Sequence, residues 1–153
     1  MIEFPSLPLD TTPGVAFVVE DVPLPAGLAP ARLARWITAV IADYDHRLGE
    51  VLYTFCSDAY LHAINLEHLD HDTYTDIITF PTAAPPVVGA EIFISTERVR
   101  ENATAFGVAF EQELHRVIIH GILHLCGISD KGAAAAGMRR AEDAALAKLD
   151  LPG

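Results

Sequence analysis

The chain has 153 residues and a mass of 16.5 kDa, with 51% apolar and 20% charged residues, a globular composition that excludes an intrinsically disordered chain. Twenty-one acidic against ten basic side chains leave a formal charge of −11, which excludes loose adhesion to nucleic acid through a broadly basic surface but not a local basic patch. No run of about 18 apolar residues occurs, and the opening "MIEFPSLPLDTTPG" has neither a basic nor an apolar leader segment, so no membrane span or secretory signal is expected.

In chain order, "VAFVVED" (15–21) predicts a first strand. Pro23, Pro25 and Gly27 mark a loop, and Pro30 suits the first turn of a helix. Leu33, Trp36, Ile37, Val40, Ile41 and Tyr44 recur at three and four, which predicts a helix from Ala31 to about Leu48, stopped by Gly49. "VLYTFCS" (51–57) reads as a second strand, with Ser57 the N-cap of a helix through about Leu69. "YTDIITF" (74–80) is a third strand ended by Pro81, "PTAAPPVV" a Pro-rich loop, and "GAEIFIS" (89–95) a fourth strand. Ser95 or Thr96 opens a helix that ends before Gly107. A long helix then runs from about Phe110 to Gly127, and an Ala-rich linker leads into a last helix, "AAAAGMRRAEDAALAKL". The expectation is an α+β fold: residues 1–153 form one domain, with one small sheet of about four strands and helices packed on it. The two cysteines, Cys56 and Cys126, are too few for a disulfide framework, so a reducing, cytoplasmic setting is expected.

The segment "HGILHLCGISD" (120–130) carries the chemistry. His120 and His124 stand one helical turn apart and project side by side, as two imidazoles offered to one ion do. Gly127 can end the helix in a left-handed conformation, which lets Asp130 approach the same ion. Two nitrogens and a carboxylate leave a coordination position open for water, the pattern of a catalytic zinc site. One Zn²⁺ ion is the expected cofactor, although nickel or iron suits the same donors. The competing reading of two core histidines bonded to carbonyls is weakened by the glycine stop and by the aspartate at that spacing. Gly121 stands where an H-E-x-x-H protease keeps its general base, so peptide hydrolysis by that mechanism is disfavoured. Cys126 lies about 200° round the helix from His124 and reads as core; His46, His62 and His115 read as surface or core histidines.

These residues resemble the YbeY-type rRNA maturation endoribonucleases of bacteria. The family signature H-G-x-L-H-L-x-G-x-x-H is matched by "HGILHLCGISD"; L-N-x-x-x-R-x-x-D-x-x-T-D-V-L-S-F-P is echoed by "INLEHLDHDTYTDIITFP" (64–81), and G-D-I-x-I-S by "GAEIFIS". The resemblance implies a cytoplasmic, zinc-dependent hydrolase that cuts single-stranded RNA, acts in 16S rRNA 3′-end maturation and ribosome quality control, and works with rRNA and small-subunit components, without membrane or DNA partners. It places the metal on His120, His124 and Asp130, with His120 also catalytic. Two departures stand out. Asp130 replaces the third histidine, and Leu69 replaces the family arginine expected to act on the phosphate, with His68 and His71 flanking it. Arg98, Arg100 and Arg116 lie near the motif-bearing segments, Arg139 and Arg140 near the C-terminus. Thr75 and Asp76 are read either as orienting a ligand or as a strand-start cap and turn, and Glu91 as structural or as supporting a ligand. Because of Leu69, a ribosome-assembly factor that binds metal but cleaves poorly is the alternative function.

Overall fold

The computed structural model describes residues 14–69 and 75–150, the side chain of Leu69 excepted. Strands β1 (Val15–Val19), β2 (Arg47–Cys56), β3 (Ile77–Pro81) and β4 (Val87–Ser95) form one four-stranded sheet in the order β1-β2-β4-β3. β1, β2 and β4 run parallel, and β3 is antiparallel to β4. The helices are α1 (Pro30–Asp43), α2 (Asp58–Leu69), α3 (Thr96–Phe106), α4 (Phe110–Leu125) and α5 (Ala135–Leu149), with a 3₁₀ turn at Gly132–Ala134 before the last. The α+β expectation and its four strands are therefore met.

The pleat of the strands assigns the two faces. Val51, Tyr53 and Phe55 of β2, with Val88, Ala90, Ile92 and Ile94 of β4, pack against α1, α4 and α5 in the main core. On the other face Cys56, Leu61 and Ile78 gather Tyr60, Ile64, Phe80 and Phe93 beneath α2. Ser57 caps α2, its hydroxyl accepting from the Tyr60 N–H at 3.1 Å. Ser95 caps α3 in the same way, accepting from the Arg98 N–H, and Gly107 closes that helix at φ 70°. No helix among the described residues is long and apolar enough to cross a membrane.

Several expected boundaries move, among them the starts of β3 and β4, which lie at Ile77 and Val87 rather than at 74 and 89. The first helix stops at Asp43 rather than near Leu48, because Tyr44 ends it and Asp45 turns the chain at φ 57°. Leu48 and Gly49 then belong to β2, which starts at Arg47 and shifts register between Leu48 and Val51. The last helix opens at Ala135, later than the alanine run begins. The start of the third expected strand, Tyr74, lies outside the described residues.

α4 crosses the sheet at Gly121. A Cβ added there would lie 3.1 Å from Ile77 Cδ1, 3.3 Å from Thr79 Oγ1 and 3.4 Å from Ile92 Cδ1. The missing glutamate of the protease motif thus has a packing cause: this position faces the sheet, and only a hydrogen fits with room to spare. Tyr53 reinforces the contact by donating its hydroxyl to the Ile118 carbonyl at 2.9 Å. Gly121→Ala is expected to stay within about 1 kcal/mol of wild type, since gained helix propensity offsets the tight contacts with side-chain tips. Gly121→Glu should lose about 3 kcal/mol or more by burying an unpaired carboxylate. Urea unfolding of both variants checks this.

Candidate active site

α4 presents Glu113, Arg116, His120 and His124 along one side, at spacings of three and four. α5 lies against it and brings a carboxylate that no local motif announces. Nδ1 of His120 and Oε2 of Glu142 are 2.7 Å apart. Arg116 donates to the other Glu142 oxygen at 2.9 Å and to Asp143 at 2.7 Å. On the far side of the ring, Nε2 of His120 stands 3.2 Å from Oδ2 of Asp130. Gly127, at φ 96°, provides the turn that brings Asp130 back. One imidazole is thereby held from both nitrogens, and the carboxylate behind it is held by a guanidinium.

The electrostatics follow from this packing. The hydrogen bond to Glu142 raises the His120 pKa against the opposing effect of burial, and Asp130 and Asp76 add to the rise. Burial pushes Glu142 upward, but the hydrogen bonds from His120 and Arg116 outweigh it and leave the carboxyl below its ordinary value. Burial raises Asp76, and the neighbouring His120 partly offsets this. Burial likewise raises Glu113, which is only 5% exposed, and the nearby Asp76 adds to it.

Of the three expected metal ligands, His120 and Asp130 are brought together. His124 is exposed one turn further along, with no hydrogen bond or ion pair to either of them, and no group of three or more His, Cys, Asp or Glu side chains among the described residues is gathered tightly enough to form a ready coordination shell. The donor chemistry nevertheless fits a metal. With its Nδ1 proton directed at Glu142, His120 keeps the Nε2 lone pair for a ligand bond, as metal-bound histidines do. The 3.2 Å between Nε2 and Oδ2 is close to the roughly 3.3 Å that separates two donors on one tetrahedral zinc ion. His124 projects from the same side of α4 one turn further on.

Other expected residues find different places. The Asp76 carboxyl is not the ring's partner; its backbone carbonyl accepts from the Ser95 N–H at 3.0 Å and pins the start of β3 to the end of β4. Glu91 pairs with Phe80 across β4, one residue out of phase with Ile92, so it sits on the α2 face and away from α4. Cys126 is half-buried against the main core, and burial raises its thiol to about 11, so it packs rather than ligates. His115 packs edge-on to Trp36, and His46 bonds the Tyr44 carbonyl. His71 and the side chain of Leu69 lie outside the described residues. Glu142 is the residue that sequence reasoning misses. Its one signal is a carboxylate on the buried stripe Met138, Glu142, Ala145, Leu149 of α5.

Comparison with known proteins bears on this site. A family model described as Endoribonuclease YbeY matches residues 27–150. A curated Endoribonuclease YbeY of Bacteroides thetaiotaomicron is 47% identical over 134 residues, covering 87% of this chain and 97% of that protein. One of Porphyromonas gingivalis is 46% identical over 136 residues, 88% of this chain and 89% of its own. One of Flavobacterium johnsoniae reaches 50% over 108 residues, 71% and 78% of the two chains. The solution structure of a Thermotoga maritima protein superposes with a TM-score of 0.63 at 25% identity, covering 88% of each chain.

Glu142→Ala is expected to cost about 3 kcal/mol, because it removes the buried one of the two carboxylates that hold Arg116, whose side chain is 12% exposed, and takes from His120 its Nδ1 partner. Glu142→Gln, which keeps the shape and one acceptor oxygen, should cost about half of that. Denaturant titration of the two variants against wild type measures the difference.

Proposed function

The chain belongs to the endoribonuclease YbeY family, and from that premise we propose that it is a zinc-dependent endoribonuclease. Its substrate is single-stranded RNA, and its place is the cytoplasm, in maturation of the 16S rRNA 3′ end and in ribosome quality control beside small-subunit components. The observation that carries this reading is the His120 ring, fixed by Glu142 on Nδ1 with Nε2 turned toward Asp130.

His120, His124 and Asp130 are the residues that would hold the ion. Bound there, zinc supplies a hydroxide at neutral pH and an electrophile for a phosphoryl oxygen. The remaining work belongs to the chain's own groups. Glu142 accepts the hydrogen bond from the His120 Nδ1–H and so selects the tautomer whose Nε2 is free to ligate. Arg116 neutralises Glu142 from behind, which keeps that buried carboxylate ionised. Gly121 leaves the position after His120 without a base and lets α4 sit close to β3 and β4.

A second reading keeps the metal and weakens the cleavage: an assembly factor for the small subunit. The residue that favours it is Leu69, an apolar side chain where the family carries an arginine that would clamp the phosphate.

Protein purified without a polyhistidine tag should contain one zinc per chain by elemental analysis and cut a single-stranded rRNA fragment, with cutting abolished by a chelator and in His120→Ala. Cleavage that persists unchanged in His120→Ala overturns the enzymatic reading. Glu142→Gln should bind zinc roughly 10- to 100-fold more weakly in chelator competition. Slow cleavage by the wild type that Leu69→Arg accelerates, together with co-sedimentation with small subunits, would favour the second reading.

A further inference from the structure

A phosphodiester brought to His120 enters an acidic neighbourhood. Asp76, Glu113, Asp130, Glu142 and Asp143 surround the ring or its partners. Arg116, the cation closest to the ring's partner, is bound by two carboxylates. RNA needs other positive charge there, and the chain has few sources of it.

All ten lysines and arginines fall within the described residues. Arg98, Arg116 and Lys148 are paired with carboxylates. Arg32 donates to the Leu149 carbonyl, and Arg100 lies over the Phe110 ring at 4.7 Å. Arg35 is on the exposed side of α1, and Arg47 opens β2, at the end of the sheet opposite Ser95 and Asp76. Three remain: Lys131, Arg139 and Arg140.

Those three share one segment, and both ends of that segment are tied to the same ring. Asp130 faces Nε2 of His120 and Glu142 meets Nδ1, so the chain between them borders the site. Lys131 directly follows Asp130 and is exposed, with no carboxylate partner among the described residues. Arg139 stands three residues before Glu142, about 60° round α5 from it, while Arg140 projects about 160° away, toward solvent. Arg139 is exposed, and its charge is felt at Glu113 together with those of Arg116, Asp76 and Glu142.

We propose that Lys131 and Arg139 are the phosphate-binding cations of this site, holding the RNA backbone beside the bond presented to His120. This rests on the endoribonuclease reading above and adds to it the source of counter-charge in a chain with leucine at position 69. Lysine acts as a point charge here, and arginine can grip two phosphate oxygens at once.

The test is steady-state cleavage of a single-stranded RNA by the holoenzyme, with binding of the same labelled RNA followed by fluorescence anisotropy across a potassium chloride series. Lys131→Ala and Arg139→Ala should each raise KM and Kd about tenfold, change kcat less than threefold, and lower the salt slope of log K by about 0.7 for each phosphate left without its cation. Arg139→Lys should recover most of the affinity. Arg35→Ala and Arg47→Ala should match wild type. A merely structural role for Arg139 beside Glu113 would lower the melting temperature and leave the salt slope unchanged, which overturns its part in the proposal. Wild-type cleavage with both alanine variants indistinguishable from Arg35→Ala overturns the proposal alone. Wild-type protein that neither cuts nor binds RNA overturns the endoribonuclease reading and this proposal with it.

Discussion

The hydrogen bond between His120 and Glu142 is the constraint on which the rest of the site depends. It joins the middle of α4 to α5 and so fixes a tertiary distance. It also fixes chemistry, because a ring whose Nδ1–H donates to a carboxylate has only the Nε2 lone pair left to act. Glu142 is 6% exposed, and a carboxylate that far from water is tolerated only with partners. Arg116 and His120 are those partners. The two helices cannot separate without leaving a charge stranded between them, so helix packing and the orientation of the His120 ring are secured by the same atoms.

The sheet sets where this happens. With β3 antiparallel at the edge of a parallel trio, its start meets the end of β4, where the Ser95 N–H reaches the Asp76 carbonyl. α4 lies over β3 and β4 at the contact that Gly121 makes possible, one residue from His120. The distance of the ring from the sheet is therefore determined by the smallest side chain in the motif. Behind α5, Trp36 donates to the Ala145 carbonyl at 2.7 Å and Arg32 to the Leu149 carbonyl at 2.6 Å, so α1 holds the helix that holds Glu142.

Much of this is legible in the residues, for reasons that differ by element. The strands show themselves through β-branched runs bounded by Pro, Ser and Gly, and the caps Ser57 and Ser95 act within one turn of chain. His120, Gly127 and Asp130 are legible for the same reason: the motif is local, and its turn residue is a glycine. The end of α1 is not legible, because Leu48 continues the apolar pattern and nothing in the identity of Asp45 announces a left-handed turn. Glu142 is not legible either. It reaches His120 across 22 residues of sequence, and such a contact leaves no spacing rule, only a charge on an otherwise apolar stripe. Gly121 can be read from the motif as the absence of a base, but its cause, the close sheet beneath it, needs three dimensions.

The order in which these parts occur along the chain has a consequence for synthesis. A nascent chain that has reached only Asp130 possesses the whole motif without the carboxylate that accepts from its Nδ1–H. Such a chain lacks the paired helix and the oriented ring together. The pairing of His120 with Glu142 can therefore form only once synthesis has passed α5.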